Sequence, residues 1–427
     1  MRGLPMTHAE LTSKKPIAGR FISAAALISL LTVAGHTSAQ ETVRMQDAIE
    51  RTLESHPELA LWSYRQQDVQ ALSDAASQRQ PAQLSLSVDD AMGTGQYEGV
   101  DAMQTTLSAR WLLEGKQVQA RTDHASAQQQ VLSARQRLQL AETKAETAAL
   151  FVALLADQER LTLAREALED ERKLLRIVER RVDAGRASAT DLVLARTRLT
   201  ERELALEEYS HRLQAAALRL SAQWGAVNEQ LTASGNIHQA PTLDKPAVLK
   251  QLNEAPVLGV TLTEADLFTA EGRLSRAEAA TPWVVAAGVR RFEAGDDYAL
   301  VAELSIPLGG GARNAALNRS LQAREQQSDV SAQARLKELE VEVRTLLLEL
   351  EHSRHVIDTL NQSILPALSN GREQAQQAYE RGQLDYLQWD NARQQWLSAR
   401  ERLLDEAEAL QLQWIELQRL TGQATYF

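Results

Sequence analysis

One offset organises this chain: residues 197 positions apart repeat each other. Gly185 and Gly225 lie 40 residues apart, as do Gly382 and Gly422, and each of the second pair stands 197 after its counterpart. The same offset carries Leu107 and Ser108 onto Leu304 and Ser305, and Lys116 onto Arg313. It carries the row Leu192, Leu199, Leu206, Leu213 and Leu220 onto Trp389, Trp396, Leu403, Leu410 and Leu417, apolar throughout. One supersecondary unit therefore occurs twice in tandem, and both copies must take the same shape.

The rows at sevens set that shape. Between residues 131 and 155 a second seam has Val131, Leu138, Ala145 and Val152 beside Ala134, Ala141, Ala148 and Leu155. A strict seven-residue period winds helices around one another left-handedly. From Lys116 to Val182 there is neither proline nor glycine. An uninterrupted helix there runs roughly 100 Å at 1.5 Å per residue. No small globular core needs such a rod, so it must lie against other long helices in a coiled coil or a tube. Composition agrees: 24% charged and 44% hydrophobic residues suffice for a core, while only 20 Gly and 10 Pro leave few breaks.

Ahead of each long helix the period changes to two. Leu84, Leu86 and Val88 alternate with Gln83, Ser85, Ser87 and Asp89, and Leu107, Ala109 and Trp111 alternate with Thr106, Ser108 and Arg110. In the second copy Trp283 to Arg291 and Tyr298 to Ile306 flank a turn at residues 293–297. Each pair predicts a hairpin. Two environments explain the alternation: a half-buried soluble sheet, or a membrane barrel with lipid outside and a polar lumen inside. Four strands cannot close a membrane barrel alone, since about eight is the smallest number known. The barrel reading therefore requires several copies.

Charge and the N-terminus narrow the compartment. Arg2, Lys14, Lys15 and Arg20 precede the apolar run Phe21 to Gly35, and Thr37, Ser38 and Ala39 supply small residues, which predicts a signal peptide at 1–39; a retained anchor is the alternative. The formal charge of -11 becomes -14 once that segment, a net three positive charges, is removed. An acidic surface excludes nucleic acid as a partner. Zero cysteines exclude disulfides, thiolate metal sites, cysteine nucleophiles and an N-terminal lipid anchor on cysteine. No nucleophile and base pair, metal-ligand cluster or nucleotide loop stands out, so no enzyme and no cofactor is expected.

The turn motifs Arg181 to Leu192 (RVDAGRASATDL) and Tyr379 to Leu387 (YERGQLDYL), with the ending Glu416 to Gly422 (ELQRLTG), resemble the TolC family of outer-membrane efflux proteins. The resemblance covers nearly all of the exported chain. It implies a mostly α fold with a small β part, in which a trimer builds a long coiled-coil α-barrel and four strands per chain contribute to a twelve-stranded outer-membrane β-barrel. Its expected organisation is a first repeat at 40–230 (a helix, strands 83–90 and 104–112, a long helix 116–183, a helix 188–224) and a linker at 231–255. A second repeat follows at 256–427 (a helix, strands 283–291 and 298–306, a long helix 313–380, a helix 385–421). Length, the short tail after Gly422 and the wording of the last helix are most similar to the CzcC-like subgroup for cobalt, zinc and cadmium.

The resemblance also implies partners and sites. The family forms homotrimers in outer-membrane lipid with a long periplasmic part, joined to a periplasmic adaptor (a membrane fusion protein) and an inner-membrane RND-type pump. Their tip turns, here at Gly185 and Gly382, close the resting tunnel and face the adaptor. A tyrosine and an aspartate bonded there correspond to Tyr379 and Asp191; an ordinary helix cap is the other reading of Asp191. Acidic rings of the family fall on Gln388 and Asn391, a departure, while Asp385 and Asp390 lie near enough to supply an anionic ring, or else serve as a cap and a solvated residue. Trp111 and Trp283, at strand ends, read as interfacial anchors or as packed rings. His352 and His355 stand one turn apart but away from the seam, a solvated face, and the run Gly309 to Gly311 reads as a flexible joint. The implied function is a passive exit duct for divalent heavy-metal cations. A multidrug or type I secretion duct shares the architecture, and a periplasmic coiled-coil structural or adaptor protein explains the heptads without using the hairpins.

Overall fold

The computed structural model describes residues 41–279, 283–306 and 311–423. The expected signal peptide and most of the Gly309 to Gly311 run lie outside them. The first repeat comprises β1 (Thr42–Val43), α1 (Met45–Ser55), α2 (Pro57–Ser77), β2 (Gln83–Asp89), β3 (Gln104–Leu113), α3 (Lys116–Asp183) and α4 (Ala189–Ala222). Then come β4 (Thr232–Ala233) and α5 (Lys245–Gln251). The second repeat comprises α6 (Pro256–Ala279), β5 (Trp283–Phe292), β6 (Asp297–Ser305), α7 (Gly311–Thr359), α8 (Leu365–Glu380) and α9 (Tyr386–Thr421).

Helix α3, 68 residues long, is the spine, with α1, α2, α4, α6 and α9 packed along it. Its seam residues Val131, Ala134, Ala145, Ala148, Val152 and Leu155 are buried. Three apolar clusters hold the rod, two of them at the matching level of the two repeats and sharing α9, the third at the far end. One joins α1, α3, α4 and α9 around Ala148, Phe151, Leu220 and Ala407; one joins α5, α7 and α9 around Leu339, Val343 and Leu417; one fills the far end around Leu174, Val178, Tyr379 and Trp389. No described helix is long and apolar enough to cross a membrane.

Three expectations need correction. The second long helix runs unbroken over 313–380 but is not α-helical throughout, because a π-helical turn at Leu360–Ile364 joins α7 to α8, with the Leu365 amide bonding back to the Leu360 carbonyl. Pro366 is the cause: it lacks an amide hydrogen and its ring crowds the preceding turn, so the ladder widens just ahead of it. The first helix of the first repeat is likewise two helices, broken at His56, which Pro57 holds in extended conformation. The span 231–255 is also more than a linker. Thr232 and Ala233 pair in parallel with Thr42 and Val43, and Asp244 caps α5 through the Ala247 amide at 3.2 Å.

The strands form one antiparallel sheet in the order β2-β3-β5-β6. Register decides which residues share a face. Leu86 pairs with Leu107, Leu107 with Val289 and Val289 with Leu300, and two rungs along Trp111 pairs with Val285 and Val285 with Leu304. One face is thus apolar from edge to edge, and it is exposed: Leu84, Leu86, Leu107, Leu300 and Leu304 all face outward. The opposite face carries Ser85, Ser87, Thr106, Arg110, Arg290 and Glu303, with Arg290 donating to Thr106 Oγ1 at 2.9 Å and to Gln104 Oε1 at 3.2 Å. Strands β2 and β6 have no second neighbour among the described residues.

Gly288 sits where the two hairpins join. A β-carbon there would stand 2.5 Å from the Leu107 carbonyl oxygen and 2.7 Å from the Ser108 β-carbon. Such overlap cannot be relieved by a flexible side chain, because the obstacle is backbone of the paired strand. Gly288→Val is expected to cost about 1 to 3 kcal/mol and to separate the hairpins, read as a lowered unfolding temperature in detergent. The same change at Ala287, one residue away, is the control.

Candidate functional site: the paired tip turns

At the end of the rod opposite the sheet, α3 turns into α4 and α8 into α9 by the same device used twice. The Gly185 amide bonds to the Val182 carbonyl (2.9 Å) and the Arg186 amide to the Arg181 carbonyl (2.7 Å); Gly382 to Tyr379 (2.9 Å) and Gln383 to Ala378 (2.8 Å) repeat the pattern. Gly185 and Gly382 have φ of 67° and 78°, the left-handed region that this helix ending requires. Three residues on, each next helix starts with a reciprocal cap. Asp191 N–H donates to Ser188 Oγ and Ser188 N–H to Asp191 Oδ2, both 3.1 Å; Gln388 N–H donates to Asp385 Oδ1 (2.8 Å) and Asp385 N–H to Gln388 Oε1 (3.3 Å). Asp191, Asp385 and Gln388 are therefore cap residues in this chain.

Behind the turns lies an aromatic core. Tyr379 and Trp389 stack with centroids 4.6 Å apart and planes at 23°, and both are 2% exposed. Tyr386 is buried beside them. Within the chain the expected bond between Asp191 and Tyr379 is not made. Asp191 is committed to its cap, and the buried Tyr379 hydroxyl has no hydrogen-bond partner among the described residues. Burial pushes that hydroxyl above the usual tyrosine range, and the Arg181 guanidinium over its ring offsets part of the effect.

Arg181 is the residue that sequence reading passed over. Its Nη1 donates to the Glu380 carbonyl (2.8 Å), its Nη2 to the Arg186 carbonyl (3.1 Å), and its guanidinium lies 4.6 Å from the centre of the Tyr379 ring. One side chain from the first repeat thus satisfies carbonyls at both turns and stacks on the core of the second. The signal was present in the offset: 197 residues beyond Arg181 stands Ala378, so the two turns are not equivalent.

Asp390 is the clearest correction. It is 5% exposed and so cannot line a lumen in this chain. Its carboxylate accepts from Gln394 (3.2 Å) and pairs with Arg198 of α4 (3.4 Å) and Arg393 (3.6 Å). Arg393 in turn meets Glu171 of α3 at 3.0 Å. Helix α9 packs between α3 and the α7–α8 helix, and Arg198 reaches it from α4, so positions on either side of its seam are covered, and a carboxylate there survives only with cations beside it. Asn391 and Gln388 are exposed. Trp111 and Trp283 stand 45% and 51% exposed on the apolar face of the sheet, far from this core. His352 and His355 are exposed, and no cluster that could hold a metal ion occurs among the described residues.

The Glu171 side chain is 1% exposed. Arg393→Met leaves it buried and unpaired, an expected loss of about 3 to 5 kcal/mol in chemical denaturation. The double variant with Glu171→Met should recover most of that loss, because no charge is then stranded. Equal destabilisation in single and double variants would contradict the pairing.

Comparison with known proteins places these turns in a family. The family described as outer membrane efflux protein matches residues 48–226 and 261–423, one stretch in each repeat. The cobalt-zinc-cadmium resistance protein CzcC of Cupriavidus metallidurans is 28% identical over 268 residues, which cover 62% of this chain and 63% of that protein. The alignment thus spans just under two thirds of that relative. Among solved structures, CusC superposes with a TM-score of 0.75 at 18% identity, covering 88% of this chain and 91% of its own. The outer-membrane channel OprN gives 0.75 at 17% identity over 89% and 90%, and the outer membrane protein VceC of Vibrio cholerae 0.72 at 16% over 87% and 95%. With the family matched across both repeats and its channel fold reproduced along nearly the whole chain, this protein belongs to the outer membrane efflux proteins, the TolC family of channels rather than enzymes.

Proposed function

We propose that three copies of this chain close into an outer-membrane duct: twelve strands form a barrel in lipid, the helices continue it into the periplasm, and the tip turns meet an adaptor and an RND-type pump. The observation that carries this is the sheet, with one face apolar from the Leu113–Trp283 rung to the Leu107–Val289 rung, the other polar, and both edges open among the described residues. Strand edges are not left unpaired in lipid, so the edges must meet other copies. The helices have matching edges. Inside the chain, α6 lies between α3 and α7, whereas its first-repeat counterpart α2 packs on α3 and leaves Leu61, Tyr64 and Leu72 exposed. On α7, Val330, Val341 and Leu348 are exposed in turn. The repeat then sets a neighbouring copy's α7 against α2, as α3 lies against α6 within the chain.

Mass measurement in mild detergent is expected to give a trimer, and a monomer or a water-soluble dimer would contradict the duct. Leu300→Arg, at the most exposed leucine of the apolar face, should cost about 2 to 4 kcal/mol if near mid-bilayer.

At the tip, Arg181 is the tie that holds the two turns of one copy together. Arg181→Ala is expected to raise conductance in planar bilayers, since two carbonyl contacts and a stacked cation are lost. Tyr379→Phe should change it little, because the hydroxyl it removes has no hydrogen-bond partner among the described residues; a large rise would instead restore the tyrosine to the gate.

For cargo, similarity to CzcC and the acidic chain support divalent heavy-metal cations. With Asp390 buried, Asp385 is the remaining acidic residue of that pair for an anionic ring, and selection rests mainly with the pump. Deleting the gene is expected to sensitise cells to zinc, cobalt or cadmium. Unchanged metal tolerance with lost tolerance to dyes, detergents or antibiotics would assign a multidrug duct.

A further inference from the structure

Where the sheet hands over to the helices, the first turns of α3 and the last turns of α6 enclose an open groove of about 810 Å³. Its wall on the sheet side is Leu113 and Trp283, cross-strand partners that form the helix-proximal rung of the apolar face. Ala120 and Ala277 continue that wall between the helices. Above it stand two cations, Lys116 on α3 and Arg273 on α6, both exposed and neither with an ion-pair partner among the described residues. A third, Arg276, lies 3.7 Å from Glu325. The two carboxylates of the lining are engaged locally: Glu114 by Arg121 at 2.8 Å, and Asp123 by Gln119 at 2.7 Å.

We infer that this groove is a binding site for an anionic phospholipid of the periplasmic leaflet, its phosphate on Lys116 and Arg273 and its acyl chain along Leu113 and Trp283. The assignment rests on the barrel reading above, which sets the helix-proximal strand ends at the periplasmic membrane surface. Three features converge on a lipid rather than a soluble anion. The groove is continuous with the lipid-facing side of the sheet, so an acyl chain enters it without crossing water. The cations lie just beyond the last apolar rung, at the depth of headgroups, where basic residues and tryptophan favour the interface. And an apolar wall gives a free phosphate nothing to contact. The second repeat also opens its long helix with a basic residue, Arg313 at the position of Lys116, so a basic residue recurs at each strand-to-helix joint.

The test uses the full chain purified as the assembled protein in detergent, with native mass spectrometry of bound lipid after addition of phosphatidylglycerol or phosphatidylcholine. Each cation near an anionic lipid surface raises affinity roughly fivefold, so wild type should retain phosphatidylglycerol with a preference of about 20- to 30-fold that Lys116→Gln with Arg273→Gln abolishes. Lys173→Gln with Arg196→Gln, two exposed cations toward the tip, should leave the preference intact and so show that lost net charge is not the cause. Equal retention of the two lipids, an unaffected double variant, or displacement of phosphatidylglycerol by inorganic phosphate at equal concentration would each overturn the lipid site. Failure of the barrel reading looks different: the chain would stay in the soluble fraction with neither lipid bound, and both proposals would fall.

Discussion

A β-strand in hydrocarbon must pair along both edges, because its amides and carbonyls find no water there and each unsatisfied group costs several kcal/mol. The sheet of this chain meets that demand inside and fails it at β2 and β6. Its apolar face, uncovered by any described helix, makes the same statement at the level of side chains. Much of the remaining architecture follows from that incompleteness. Two edges need neighbours, so the chain carries a doubled unit whose free faces, α2 on one flank and α7 on the other, supply the contacts of a closed ring.

The helical part answers a different problem, that of keeping a rod about 100 Å long in register with its neighbours. Small residues at the α3 seam, such as Ala134, Ala145 and Ala148, let helices approach closely along its length. Toward the tip the packing changes character. Aromatic stacking of Tyr379 on Trp389 and the buried Glu171, Arg393, Asp390 and Arg198 network lock α9 against α3 and α4, while Arg181 ties the two turns. The π-helical turn ahead of Pro366 is where the second long helix departs from this regularity, as the point at which one backbone ladder had to widen.

Much of this was legible in the chain. The strand positions follow from alternation to within a residue, since Leu84, Leu86 and Val88, or Tyr298, Leu300 and Leu304, leave only one register for an apolar face. The tip turns were legible because left-handed glycines and cap residues act through local backbone geometry. What escaped was set by tertiary packing. Asp390, one step from the seam residue Trp389, reads as solvated on a single helix, but α9 is flanked on two sides and the residue is enclosed. Tyr379 could be placed at the tip by its motif; that its ring is core and its hydroxyl unpaired depends on where Trp389 and Arg181 arrive from another part of the chain. Pro366 and the Pro57 break were visible as residues, and the heptad rows running past them concealed their effect.

Closure of the barrel requires that β2 of one copy meet β6 of another. The chain has no cysteine, so introduced thiols react only with each other. Ser85→Cys on β2, combined in turn with Ala299→Cys, Val301→Cys or Glu303→Cys on the same polar face of β6, should under oxidation yield a covalent trimer as the largest species on denaturing gels for at least one register. Absence of intermolecular links in all three pairs, or links that end at a dimer, would contradict closure of the barrel through these edges.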